Sequence, residues 1–100
     1  MKQRYLVVYE RGKRNYGGFA PDVPGCISTG KTLTRMRQMM KEGLQVHLKS
    51  MAEDGDVLPE SLTTSFDFAE IVDASVDHYV VEWLEIEMPI TKSKEQPAAV

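Results

Sequence analysis

The sequence predicts a small α+β domain: a three-stranded antiparallel meander, one long helix packed on the sheet, and a final strand. Three observations predict it. Short β-branched and aromatic runs stand near both ends, as in Leu6-Val7-Val8-Tyr9 and Tyr79-Val80-Val81. The apolar period changes once, from strand-like to helical, after Thr32. Glycine and proline clusters fall between these runs, where turns are needed. With 42% apolar and 27% charged residues, the 100-residue chain has an ordinary globular composition and not a disordered one. It is expected to fold as one domain over residues 1–90, with a disordered tail over 91–100.

Arg4 to Glu10 reads as the first strand, apolar on both faces: Tyr5, Val7 and Tyr9 on one, Leu6 and Val8 on the other. Arg11-Gly12-Lys13-Arg14-Asn15 is a hairpin connection in which Gly12 and Asn15 are able to take positive φ. Tyr16 to Ala20 is the returning strand, and Gly17-Gly18 predicts a bulge or a close approach of another backbone. Pro21-Asp22-Val23-Pro24-Gly25 is a turn: the prolines fix φ, Asp22 is placed to accept from an amide two residues on, and Gly25 tolerates left-handed geometry. Cys26 to Thr29 is a short third strand. Gly30 breaks it, and Thr32 is positioned as a helix N-cap.

Leu33, Met36, Met40, Leu44, His47, Leu48 and Met51 then recur at helical spacing. A helix over Leu33 to Met51 is about 28 Å long at 1.5 Å per residue. Gly43 inside it costs about 1 kcal/mol against alanine and points to close packing on the sheet. Asp54-Gly55 and Pro59 end it. Beyond, Ser65 is a candidate cap for a short helix carrying Phe68, Ile71 and Val72. Tyr79 to Met88 is the last strand, with Tyr79, Val81 and Trp83 on one face and Leu84, Ile86 and Met88 on the other. That switch predicts a bulge or a partner on the second face. One helix covers only one face of such a sheet. The second face must therefore be covered by the connector, by another copy of the chain, or by a different protein.

Net charge is −3, which argues against a dedicated nucleic-acid binder and is compatible with a basic protein partner. Cys26 is the only cysteine, so no internal disulfide forms. The N-terminal apolar run is too short for a signal peptide, and no stretch approaches the length of a membrane span. The cytoplasm is the expected compartment.

Gly25 to Thr32 spells G-x-x-x-x-G-K-T, the pattern of a phosphate-cradling loop. Its first glycine follows Pro-Asp-Val-Pro where a buried strand is required, and Cys26 to Thr29 read better as strand than as cradle. The spelling is taken as chance. Glu10 and Asp22 invite comparison with paired metal-binding carboxylates, but a strand-end Glu and a turn-capping Asp explain them. His47 reads as a hydrogen-bonded histidine at the core edge. His78 has no companion at metal-ligand spacing. Cys26, with no histidine near it in sequence, reads as a buried structural cysteine. No catalytic, metal or cofactor residue is assigned, and no cofactor is expected. Glu82, Glu85 and Glu87, with Trp83, have two readings: a solvated edge that discourages aggregation, or an acidic strip for a basic partner.

Three runs together resemble one family: Tyr5 to Glu10; Asn15-Tyr16-Gly17-Gly18-Phe19-Ala20-Pro21-Asp22-Val23-Pro24-Gly25-Cys26; and Thr29-Gly30-Lys31-Thr32-Leu33. The pattern continues through Glu42 and His47-Leu48 to Asp54-Gly55 and Leu58-Pro59. It is similar to the HicB family of antitoxins over about the first 60 residues, and Tyr16, Pro21, Asp22, Pro24, Gly25, Cys26, Gly30 and Thr32 carry its signature. The resemblance implies a truncated ribonuclease-H-like fold without its nuclease site. It also implies homo-oligomers (dimer or tetramer) and binding to a small basic HicA-like toxin that cleaves messenger RNA. Only about a dozen residues follow the last strand, fewer than a helix-turn-helix or ribbon-helix-helix needs, which argues against direct DNA binding. The expected role is therefore a minimal antitoxin that occludes its toxin without chemistry of its own. The alternative is an orphan homo-oligomer with no toxin partner.

Overall fold

The computed structural model describes residues 1–66 and 75–90. It contains β1 (Lys2–Arg11), β2 (Tyr16–Phe19), β3 (Ile27–Gly30), α1 (Leu33–Glu53) and β4 (His78–Glu87). The strands form one sheet in the order β3-β2-β1-β4, every pairing antiparallel. This is the expected β-β-β-α-β arrangement. β1 exceeds its expected span because all ten of its residues pair with β4, from Lys2–Glu87 to Arg11–His78. The helix ends at the opposite end of the sheet from the hairpin, so the connector must climb back before β4 can begin beside Arg11. The predicted short helix carrying Phe68, Ile71 and Val72, and the predicted tail over 91–100, lie outside the described residues.

Helix α1 is seated through one stripe. Met36, Met40, Leu44, Leu48 and Ala52 stand one turn apart and are all 3% exposed or less. They meet Tyr5, Val7 and Tyr9 of β1 and Ile86 of β4, with Val80 and Leu84 packed alongside. Burying each large apolar side chain contributes about 1.5–3 kcal/mol. The stripe therefore adds tertiary stabilisation to a helix whose Leu, Met, Arg, Gln, Lys and Glu residues already favour that conformation. Thr32 caps the start: its Oγ1 accepts from the Arg35 amide at 3.1 Å. At the far end Gly55 takes φ +77° and donates to the Ala52 carbonyl at 3.1 Å, a left-handed stop of the kind glycine favours.

Two glycines set how closely the helix approaches. A Cβ on Gly30 would lie 2.7 Å from the Met36 nitrogen and 2.8 Å from its Cα. A Cβ on Gly18 would lie 2.8 Å from Met36 Cε. The bulge expected at Gly17-Gly18 is absent: pairing runs without a break from Arg11–Tyr16 to Val8–Phe19. The glycine is there for the Met36 side chain, not for another backbone. The hairpin also differs from expectation. Gly12 is not among the positive-φ glycines, and the turn closes by donation from its amide to the Asn15 carbonyl at 2.9 Å.

The bulge expected in β4 is absent too, since its register with β1 is continuous. Regular alternation puts Val80, Glu82, Leu84 and Ile86 towards the helix and Tyr79, Val81, Trp83, Glu85 and Glu87 on the opposite face. Both faces are apolar in the middle, which explains the apparent switch at Trp83. On the face away from the helix, Leu6 (opposite Trp83) and Val8 (opposite Val81) are 3% and 0% exposed. Part of that cover comes from the connector, where the Phe66 ring stands edge-on to Phe19 at 5.5 Å.

Alanine at Gly17 of β2 and at Gly30 of β3 separates an open glycine from a packed one. A Cβ on Gly17 meets nothing within 4 Å. Gly17→Ala is expected to leave the melting temperature within a degree or two, whereas Gly30→Ala, which drives Cβ into helix backbone, costs about 1–3 kcal/mol or more. Thermal unfolding of the two variants side by side checks this.

Candidate protein-binding surfaces

The signature residues form a brace and not a catalytic pocket. Val23 donates to Ala20 and Cys26 to Val23, at 3.0 and 3.3 Å, and Gly25 takes φ +90°. Pro21 and Pro24 set the backbone that brings these groups together. The Asp22 carboxylate does not accept from an amide two residues on, because that residue is Pro24, which has no N–H to give. Its Oδ2 instead accepts from the Leu62 and Thr63 amides at 2.8 Å each, and its Oδ1 from the Thr63 hydroxyl at 2.6 Å. The connector's amides lack strand partners of their own, and a carboxylate satisfies several at once. Tyr5 adds a second tie, donating from its hydroxyl to the Pro59 carbonyl at 2.6 Å. These two contacts hold the connector against the sheet.

The other signature residues are placed as follows. Tyr16 pairs with Gly30 across the strands, with the Arg11 guanidinium 5.0 Å over its ring and His78 edge-on at 6.3 Å. Cys26 is buried, and burial pushes its thiol pKa up, away from nucleophilic character. Gly30 and Thr32 admit and cap the helix. Ile27 to Gly30 form a strand paired to β2, so their amides do not wrap a phosphate. Glu10 lies near the hairpin, paired with Gly17, while Asp22 is engaged with the connector. The sheet does not bring the two together. Among the described residues no group of three or more His, Cys, Asp or Glu side chains is arranged to hold a metal. No described helix is long and apolar enough to cross a membrane.

The β4 carboxylates do not form a single strip, because alternation separates them. Glu82 faces the helix, where Arg37 Nε donates to both its oxygens at 2.9 and 2.8 Å. Beneath this pair, against the Glu82 carboxylate, lies the buried Tyr9 hydroxyl. Burial raises its pKa, and the Glu82 carboxylate adds to the rise, so the phenol stays protonated. Glu85 and Glu87 face the other way with Trp83. Lys2 Nζ stands 3.8 Å from Glu85, and the terminal ammonium donates to Glu87 at 2.8 Å. That hydrogen bond, with the ammonium's charge, holds the Glu87 carboxyl below its ordinary value. Trp83 is 41% exposed and Val81 38%, and the Arg4 guanidinium sits 5.7 Å from the indole centre.

A second surface was not anticipated as a unit. Between β3 and α1 runs an open groove of about 510 Å³, bordered by Ile27, Met39, Glu42, Gly43, Val46 and His47. Ile27 and Val46 are 74% and 68% exposed. His47 was expected to be hydrogen-bonded at the core edge. It is half-buried on this groove and has no hydrogen-bond partner among the described residues. The signal for the groove was legible in part, since Gly43 marks the place where the helix meets Ser28.

The geometry defines a small two-layer α+β domain whose sheet presents an indole beside two carboxylates on the face away from its helix. The family model for the HicB-like antitoxin of bacterial toxin–antitoxin systems matches residues 5–98, and the chain belongs to that family. Among solved structures it is similar to a toxin–antitoxin complex from Streptococcus pneumoniae, at TM-score 0.72 and 16% identity, covering 93% of this chain and 80% of that one. A HicA3 and HicB3 toxin–antitoxin complex aligns at TM-score 0.60 and 20% identity, covering 85% and 99%. An uncharacterized 14.9 kDa protein from Haemophilus phage HP1 is 39% identical over 57 residues, which is 57% of this chain. The chain spans 43% of that relative's length.

The brace carries a pH dependence. Burial pushes the Asp22 carboxyl up, but its hydrogen bonds from Thr63 and Leu62 outweigh this and hold its pKa below the ordinary aspartate value. A lowered native pKa means stability that is complete above the ordinary aspartate range and is lost as pH falls through the native value. Hydrogen exchange at the Leu62 and Thr63 amides is therefore expected to accelerate on acidification. Asp22→Asn is expected to lose about 1–2 kcal/mol at neutral pH and to flatten that acid dependence.

Proposed function

We propose that this chain is the antitoxin of a toxin–antitoxin pair, binding and occluding a small basic HicA-like toxin that cleaves messenger RNA. The observation that carries this reading is the sheet face of β4. Half-exposed Trp83 and Val81 lie beside Glu85 and Glu87, an aromatic anchor with a carboxylate rim. A toxin that holds RNA presents cations, and in this reading they displace Lys2 and the terminal ammonium from these two exposed carboxylates. Glu82, committed to Arg37, serves the same surface from behind by fixing β4 to the helix. Inhibition is steric and electrostatic and requires no cofactor, metal or chemistry from this chain. The antitoxin acts in the cytoplasm and self-associates, and direct DNA binding has no part in this reading.

The test uses the small open reading frame beside this gene, expressed alone and with this chain. The expected outcome is growth arrest relieved by co-expression, with a complex that co-purifies. Trp83→Ala combined with Glu85→Lys and Glu87→Lys is expected to weaken that complex at least thirtyfold, about 2 kcal/mol, with far-ultraviolet circular dichroism showing the variant still folded. Unchanged affinity in the triple variant would remove this face as the toxin site.

A further inference from the structure

The net charge of −3 is not spread evenly over the molecule. Strand register collects cations at one end. Arg11 pairs with Tyr16 and Tyr16 with Gly30, so the hairpin and the start of α1 lie side by side there. Lys13 and Arg14 stand in the hairpin, Lys31 and Arg35 flank the Thr32 cap, and all four are exposed. Among the described residues none of the four is held in an ion pair. Of the carboxylates nearby, Asp77 lies 3.1 Å from His78, and alternation turns Glu10 away from the helix. The far end has the opposite character. Glu53, Asp54, Asp56, Glu60, Glu85 and Glu87 there outnumber Lys2, Lys49 and the terminal ammonium.

The helix adds to this field. No acidic side chain stands in its first turn, so the positive end of its dipole is unscreened. Thr32 takes the Arg35 and Met36 amides, and those of Leu33 and Thr34 stand at the open end of the helix. The same end lacks what a protein partner needs. Every large apolar side chain exposed among the described residues lies outside 11–16 and 30–35. There is no anchor to bury at the centre of a protein interface. A phosphodiester backbone needs none, because cations that displace its counterions supply affinity by themselves. No groove-reading element is free either, since α1 is seated on the sheet and meets this end only through its first turn. The three strands here span about 10 Å. A patch so compact suits a strand that bends around it better than a stiff duplex.

We propose that the hairpin end of the sheet, Lys13 and Arg14 together with Lys31 and Arg35, binds the phosphate backbone of single-stranded RNA without reading its sequence. The inference goes beyond the toxin reading and does not rest on it. Glu85 and Glu87 lie at the other end, so a basic protein and an RNA strand do not compete for one surface. The test titrates a labelled oligouridine of about 15 nucleotides with the full chain alone, following fluorescence anisotropy. Binding is expected with a dissociation constant on the order of 10 μM at about 50 mM salt. The log–log salt slope is expected at about −3, as the four cations each neutralise a phosphate. Lys13→Glu with Arg14→Glu, and Lys31→Glu with Arg35→Glu, are each expected to weaken binding at least tenfold, with far-ultraviolet circular dichroism intact. Lys49→Glu, at the acidic end, is expected to change it less than twofold. No binding at low salt, or as large a loss from Lys49→Glu, overturns the proposal. Tighter binding of polyglutamate or of a duplex DNA of the same length overturns the choice of partner. None of these results touches growth rescue by co-expression, so this inference and the antitoxin reading fail separately.

Discussion

The rest of the fold depends on the contact between Met36 and the two glycines beneath it. Met36 is the first fully buried residue of the helix, and its backbone lies on Gly30 while its side chain reaches Gly18. Any Cβ at Gly30 would push the first turn off the sheet, and with it the whole stripe down to Ala52. The Thr32 cap fixes where the helix begins, but the glycines fix where it lies. Once that height is set, Tyr5, Val7 and Tyr9 close against Met40, Leu44 and Leu48.

That single layer of helix leaves the sheet's other face to be covered by different means, and the chain divides the work. The connector is drawn in by Asp22 and Tyr5, and it brings Phe66 to Phe19. The centre of the face, Leu6 and Val8, is dry, while the β4 side keeps Trp83 and Val81 partly open. A turn that looked like local punctuation therefore has a long-range role. Its carboxylate anchors the segment that follows the helix and so determines how much of the second face is left for a partner.

The fold was legible in the sequence because its signals are local: period two, period three to four, and turn residues between them. The family signature was legible for the same reason, since its residues form one turn and one helix start. Two bulges read from the sequence are absent for a shared cause, while the other reading of the shift at Trp83, a partner on the second face, is left standing. The bulges read from Gly17-Gly18 and from the shift at Trp83 assumed that an irregular pattern means an irregular backbone. Here the backbone is regular, and the irregularity lies in what each face touches. The acidic strip is divided by strand alternation, which sets Glu82 on the helix face beside Arg37 and leaves Glu85 and Glu87 with Trp83.

By itself, the sequence determined the element order, the buried stripe of the helix, the cap at Thr32 and the left-handed Gly25, all of which follow from interactions within a few residues. Only the tertiary structure decided that Asp22 answers to Leu62 and Thr63, that Glu82 answers to Arg37, and that β3 and α1 border an open groove. Those outcomes depend on which strands become neighbours and on how closely a helix settles on them. Both are set by the packing of the whole chain and by no stretch of it alone.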